Sequence, residues 1–342
     1  METLPVPEWL KKIGRSALRI GIALAVLLGV PALCYLIWQP GEDTTFPAFP
    51  DNAIWIGHGW LGDDGWFDRN GRNRGDFRSG EKISALFRKL ADNRISVVHP
   101  HLCPARKDGR IAPCDSAQTE RFLTLAEQYG IRVVPWVGGV LFDSARPDDR
   151  RWRQKFISSI GELLEKHPKL AGVQVNIEPL PDGDRDFLRL LEELRPRMRG
   201  KILGVAAYPP PTRWQENPHV HWQERYLREV AGRCDQLTVM MYDTAIPLAK
   251  FYTKLMTDWT ESLTGIVRSG KCRLVLGIPA YEDPGVGYHR AGAENIISAL
   301  RGISAARRNG EISGIALYCE WEMTEAKWRQ WRGFIRRTGA EK

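Results

Sequence analysis

The chain has 342 residues, 43% of them hydrophobic and 26% charged, with a formal net charge of +8. That composition is ordinary for a globular protein and excludes a disordered, collagenous or low-complexity chain. The positive charge is modest and its arginines are scattered through helical segments rather than clustered with aromatics, which argues against a nucleic-acid partner.

The first predicted element is a membrane span. Ile20 to Trp38 runs for 19 residues without a charge, close to the roughly 20 needed to cross a bilayer. Lys11, Lys12, Arg15 and Arg19 precede it and no Lys or Arg follows until Arg69, so the positive-inside rule places the N-terminus in the cytoplasm. A cleaved signal peptide fits less well, because the run exceeds the usual apolar core of about 7 to 15 residues and no small-x-small site follows. The expected organisation is a cytoplasmic segment (1–19), a signal-anchor helix (20–38), a Pro-rich linker (39–51) and a domain (52–342) on the periplasmic side of the inner membrane.

From Ala53 onward, eight short apolar runs alternate with amphipathic segments. The runs begin at Ala53, Ile95, Ile131, Ala171, Lys201, Gln236, Arg273 and Gly314. Segments such as "GEKISALFRKLADN" and "DRDFLRLLEELRPRM" between them repeat apolar residues every three or four positions, the helical period. Strand and helix in regular alternation predict a parallel sheet. Eight such units in about 290 residues predict an α/β fold, a (β/α)8 TIM barrel, whose usual size is about 250 residues. The glycine-rich dinucleotide fingerprint is absent after the first strand, and no G-x-S-x-G nucleophile elbow occurs.

The fourth predicted strand, "AGVQVNIEP" from Ala171, carries polar side chains at alternate positions. Val173, Val175 and Ile177 face one way and Gln174, Asn176 and Glu178 the other. Packed against helices, the apolar row leaves the polar row inside the barrel, climbing toward the C-terminal rim where active sites of this fold lie. A carboxyl partly shielded from water there has its pKa raised, which suits a general acid.

This strand resembles the Asp-x-x-Asp-x-Asp-x-Glu signature of glycoside hydrolase family 18, the chitinases and their relatives. Ala171, Gln174, Asn176 and Glu178 fall on the four motif positions and Gly172 on the family's usual Gly. "MMYD", with Met240, Tyr242 and Asp243, resembles the sixth-strand Met-x-Tyr-Asp; "WVGG" resembles the third-strand Ser-x-Gly-Gly, with Trp136 in place of Ser. The resemblance implies Glu178 as the acid that protonates the glycosidic oxygen. It also implies that the residue at Asn176 orients the substrate's N-acetyl group. Asn176 in place of Asp lacks the charge that supports a cationic ring intermediate, so the sequence leaves the sugar and the use of substrate assistance open. Asp243, with Tyr242 beside it, is the expected partner, and Glu320 and Glu322 are placed on one face of the eighth strand's end.

Aromatic residues gather at the predicted C-terminal strand ends, as stacking on sugar rings requires. Substrate contacts are expected from Trp60, His99, Trp136, Gln174, Tyr208, Met240, Tyr318, Glu320 and Trp321. His99 and His101 share a face of the second strand but lack a third ligand, so neither metal nor cofactor is expected. Cys103–Cys114 and Cys234–Cys272 are candidate disulfides from their positions, with free buried thiols as the alternative for each pair. The sequence thus predicts a membrane-anchored glycoside hydrolase or transglycosylase acting on an envelope or exopolysaccharide glycan, with envelope proteins as further candidate partners. The alternative is a carbohydrate-binding or scaffold protein on a degenerate barrel.

Overall fold

The computed structural model describes residues 8–71, 73–212, 217–268, 270–282 and 287–335; within helices the side chains of 8–18, 21, 24, 25, 64, 76 and 309 lie outside the description. Two compact units result, residues 1–40 and 41–342. The first is one helix, α1 (Glu8–Ile37), along which Ile20, Ile22, Leu27, Leu28, Leu33 and Leu36 are exposed. Among the described residues no helix is long and apolar enough to cross a membrane. Gly21, Leu24 and Ala25 of the expected span fall outside the described side chains.

The second unit begins earlier than expected. Within the stretch read as a linker, Phe46 and Phe49 are buried, the Phe46 amide donates to the Phe334 carbonyl (2.7 Å), and Asp43 pairs with Arg301 (2.6 Å). Two apolar rings outweigh the prolines around them and hold the segment on the domain.

After this come β1 (Ala53–Ile56), α2 (Asp64–Asn70), α3 (Gly75–Arg78), α4 (Gly80–Asp92), β2 (Val97–Pro100), α5 (Ser116–Gln128), β3 (Arg132–Val133), β4 (Trp136–Val140), α6 (Arg150–Lys166), β5 (Gly172–Glu178) and α7 (Arg185–Leu194). The chain continues through β6 (Ile202–Ala207), α8 (Glu224–Ala231), β7 (Gln236–Met240), α9 (Ala249–Val267), β8 (Arg273–Pro279), α10 (Ile296–Ala305), β9 (Gly314–Tyr318) and α11 (Glu325–Phe334). All eight apolar runs of the sequence form strands.

The sheet is parallel throughout, ordered β3-β2-β1-β9-β8-β7-β6-β5-β4. Its two edge strands are halves of one run, separated by Val134 and Pro135. Pro135 has no N–H to give the ladder, yet its carbonyl accepts from Gln174 N (2.8 Å), while Leu102 N donates to Trp136 O (2.9 Å). The sheet therefore curls back on itself as an α/β TIM-like fold.

Helices form where the sequence pattern and caps agree. On α7, Phe187, Leu188, Leu190, Leu191 and Leu194 are buried on one face, and Asp184 caps it by accepting from Phe187 N (2.7 Å). The main core fills the space between sheet and helices; a smaller one, with Ala53, Trp55, Val97, Val134, Val275 and Ala316, fills the barrel's interior. At the N-terminal end of the strands the fully buried Asp51 binds Arg132 (2.7 Å) and Arg273 (2.8 and 2.9 Å).

Candidate active site

The polar row of β5 does point inward, and its three residues sit in three different environments. Gln174 is fully buried: it accepts from Trp55 Nε1 (2.8 Å) and donates to Thr238 Oγ1 (3.1 Å). His99 lies beside it, equally buried, with Nδ1 on the Val134 carbonyl (2.9 Å). Burial, only partly offset by that carbonyl, lowers the His99 pKa to about 4, so the ring is neutral. These groups satisfy one another beneath the cleft, and the expectation that Gln174 and His99 touch substrate is corrected accordingly.

One step higher, Asn176 Nδ2 donates to Glu178 Oε1 (2.8 Å). Burial raises the Glu178 pKa, the Asn176 hydrogen bond partly opposes this, and the charge of Asp243 raises it further. The carboxyl therefore keeps its proton to higher pH than a solvated Glu, as a general acid must. Asn176 is held in place by β4, which pairs Gly138 with it. At Gly138 (φ +140°) a Cβ would fall 1.8 Å from the Asn176 carbonyl oxygen, so that register requires glycine.

Tyr242 and Asp243 follow β7. The Tyr242 ring stacks on Tyr318 (5.4 Å) and meets Tyr281 edge-on (5.9 Å). Burial raises the pKa of Tyr242, Tyr281 and Tyr318, aided by neighbouring acidic groups, so all three remain hydroxyl donors. Asp243 adopts a left-handed conformation (φ 62°), which Asp tolerates better than most residues, and its Oδ1 accepts from the Tyr281 hydroxyl. His289 Nδ1 lies 3.3 Å from the same oxygen. Burial opposes charge on His289, but Asp243 and the buried Glu294 outweigh it and raise its pKa to about 9.

These residues open into a cleft of about 1170 Å3. Of the expected site residues, Asn176, Glu178, Tyr242 and Asp243 line it together, as do Trp136, Tyr208, Met240, Tyr318 and Trp321. Trp60 does not: it is buried in the core against Phe77 (4.7 Å) and Phe122 (6.0 Å). Glu320 is absent from the lining too. The chain after β9 turns into a 3-10 segment, Glu320–Glu322, in which residues two apart no longer share a face, and Trp321 and Glu322 reach the cleft instead.

Both candidate cysteine pairs are unbonded, as the free-thiol alternative has it. All of the cysteines are free; the Cys234 and Cys272 sulfurs are 3.6 Å apart, and Cys103 Sγ contacts the Trp136 carbonyl (3.4 Å). His101 packs against His58, with Nδ1 atoms 3.1 Å apart, and its pKa is lowered to about 3, first by burial and then by His58. Several lining residues went unpredicted, among them Tyr288, His221 and Asn217. They come from long loops after β6 and β8, where no periodicity marks them.

No protein-family model matches the sequence, and no curated protein matches it. Solved structures do match. A chitinase from Chromobacterium violaceum is 17% identical with a TM-score of 0.53, over 74% of this chain and 95% of its own. The spore cortex-lytic enzyme SleL of Bacillus megaterium is 9% identical with a TM-score of 0.57, over 84% and 75%. An endo-β-1,4-mannanase from Thermotoga petrophila is 11% identical with a TM-score of 0.54, over 82% and 68%. At such identities the likeness is one of fold, an α/β TIM-like barrel shared by these glycoside hydrolases.

Proposed function

We propose that the domain is a glycoside hydrolase, or a transglycosylase, of a divergent family-18-like type, acting on an envelope or exopolysaccharide glycan. The observation that carries this reading is Glu178: a buried carboxyl with a raised pKa, hydrogen-bonded by Asn176, at the base of an aromatic-lined cleft. In this reading the protonated Glu178 gives its proton to the glycosidic oxygen as the leaving sugar departs. Asp243 is the partner carboxylate that stabilises positive charge developing on the ring, Asn176 orients both Glu178 and the sugar, and the Tyr242 hydroxyl donates near the reacting carbon. Trp136, Tyr318 and Trp321 offer faces for sugar rings.

We further propose that α1 anchors the protein in the inner membrane with the domain outside the cytoplasm. The uncharged run from Ile20 to Trp38 and the basic residues before it support this.

The test is reducing-end release by the purified full-length chain across a panel of bacterial envelope glycans, beside Glu178→Gln. Loss of activity in the variant by about 10²- to 10⁴-fold supports the enzyme reading. The amide at position 176, where a charged group would assist catalysis, favours a second reading as a glycan-binding protein. Saturable binding without release, unchanged by Glu178→Gln, would establish that one.

A further inference from the structure

The loop between β8 and α10 brings His289 and Glu294 against Asp243. Both side chains are fully buried, and His289 Nδ1 lies 3.3 Å from Asp243 Oδ1 and 3.6 Å from Glu294 Oε2. Among the described residues this is the group of His, Cys, Asp and Glu placed to hold a metal ion, with its ligand atoms all within 4.8 Å of one another. His289 Nδ1 and Glu294 Oε1 have no hydrogen-bond partner. Buried polar atoms are seldom left so.

Distance separates the two occupants that could sit between these groups. A proton shared from imidazolium to carboxylate draws nitrogen and oxygen to about 2.7–2.9 Å, well inside both observed gaps. Ligands about 2.0–2.2 Å from a tetrahedral ion stand about 3.3–3.6 Å from one another, which matches the two separations from His289 Nδ1, and the two carboxylates lie within 4.8 Å of each other. We propose that Asp243, His289 and Glu294 form a binding site for one divalent transition-metal ion of the zinc class.

The surroundings suit that occupant. His289 Nε2 donates to the Tyr281 carbonyl (3.2 Å), which fixes the ring and turns Nδ1 toward the gap, the usual support of a ligating imidazole. The Tyr281 hydroxyl and Thr244 N, 3.0 Å from Glu294 Oε2, hold the two carboxylates in place. On binding, the ion displaces the proton that the two carboxylates otherwise hold on His289, releasing it to solvent; the two carboxylates and the resulting neutral imidazole cancel the charge of a divalent ion, and the ring nitrogen favours zinc, iron or manganese over calcium or magnesium. Asp243, one-third exposed and lining the cleft, gives access to the site. The ion joins the end of β7 to the β8–α10 loop.

This site does not depend on the glycosidase reading, and its test needs no glycan. The full-length chain, stripped by a chelator, is titrated with Zn²⁺ by calorimetry and with Co²⁺ by visible absorption. One equivalent of Zn²⁺ and a Co²⁺ ligand-field band are expected, with affinity at least about 100-fold weaker in His289→Ala and Glu294→Gln. Absence of saturable binding to wild type with an intact circular-dichroism spectrum overturns the proposal. So does binding that both variants leave unchanged, and the wild-type result stands even where a variant fails to fold.

Discussion

Glu178 links stability to pH in a direction that can be worked out. Its pKa is raised in the folded state, chiefly by burial, so the native protein holds this proton more tightly than the unfolded chain. Between the two pKa values the folded state binds more protons, and stability falls as pH rises through the folded pKa. Glu178→Gln keeps an acceptor for Asn176 Nδ2 and cannot ionise. Thermal melts should show the variant more stable than wild type at pH 8 and indistinguishable from it at pH 4; equal melting at pH 8 would mean the carboxyl is not held protonated. Catalysis by the protonated acid should decline on the same rise, giving a rate profile with its alkaline limb set by Glu178. Asn176 was legible as an inward residue, but its hydrogen bond to Glu178 was not, since side-chain rotamers do not follow from strand register.

Between elements, the site depends on how closely β4 and β5 approach. Gly138 faces Asn176 across the ladder with no space for a Cβ, and its positive φ adds strain for any other residue. Gly138→Ala should therefore cost about 1–3 kcal/mol in denaturant unfolding and weaken glycan turnover or binding at native temperatures. An unchanged midpoint would show that the two strands can part without penalty. The strand-turn-helix order was readable because apolar period, caps such as Asp184 and strand spacing all agree. The end of β9 was not: "CEWE" reads as continuing strand, and only the fold turns it into the 3-10 segment that sends Trp321 to the cleft and Glu320 away.

At the scale of the whole barrel, Asp51 ties β1's approach to Arg132 on β3 and Arg273 on β8, at the end remote from the cleft. Removing Asp51 leaves the two arginines, each about one-third exposed, without their shared acceptor, so Asp51→Ala should lose about 1–3 kcal/mol in chemical denaturation. Well below its melting point the variant should still bind or cleave glycan; loss of function there with stability retained would contradict a purely structural role. By itself the sequence determined the α/β class, the eight strands and the inward row of β5, because hydrophobic period and chain order report which face of each element is buried. Tertiary structure alone decided which side chains share the cleft. Trp60 entered the core, Gln174 and His99 closed on each other beneath the site, and Phe46 and Phe49 drew the expected linker onto the domain. It also set His289 and Glu294 beside Asp243, across more than forty residues of chain. Such meetings depend on loop paths and on the curl of the sheet, distances that no local pattern encodes.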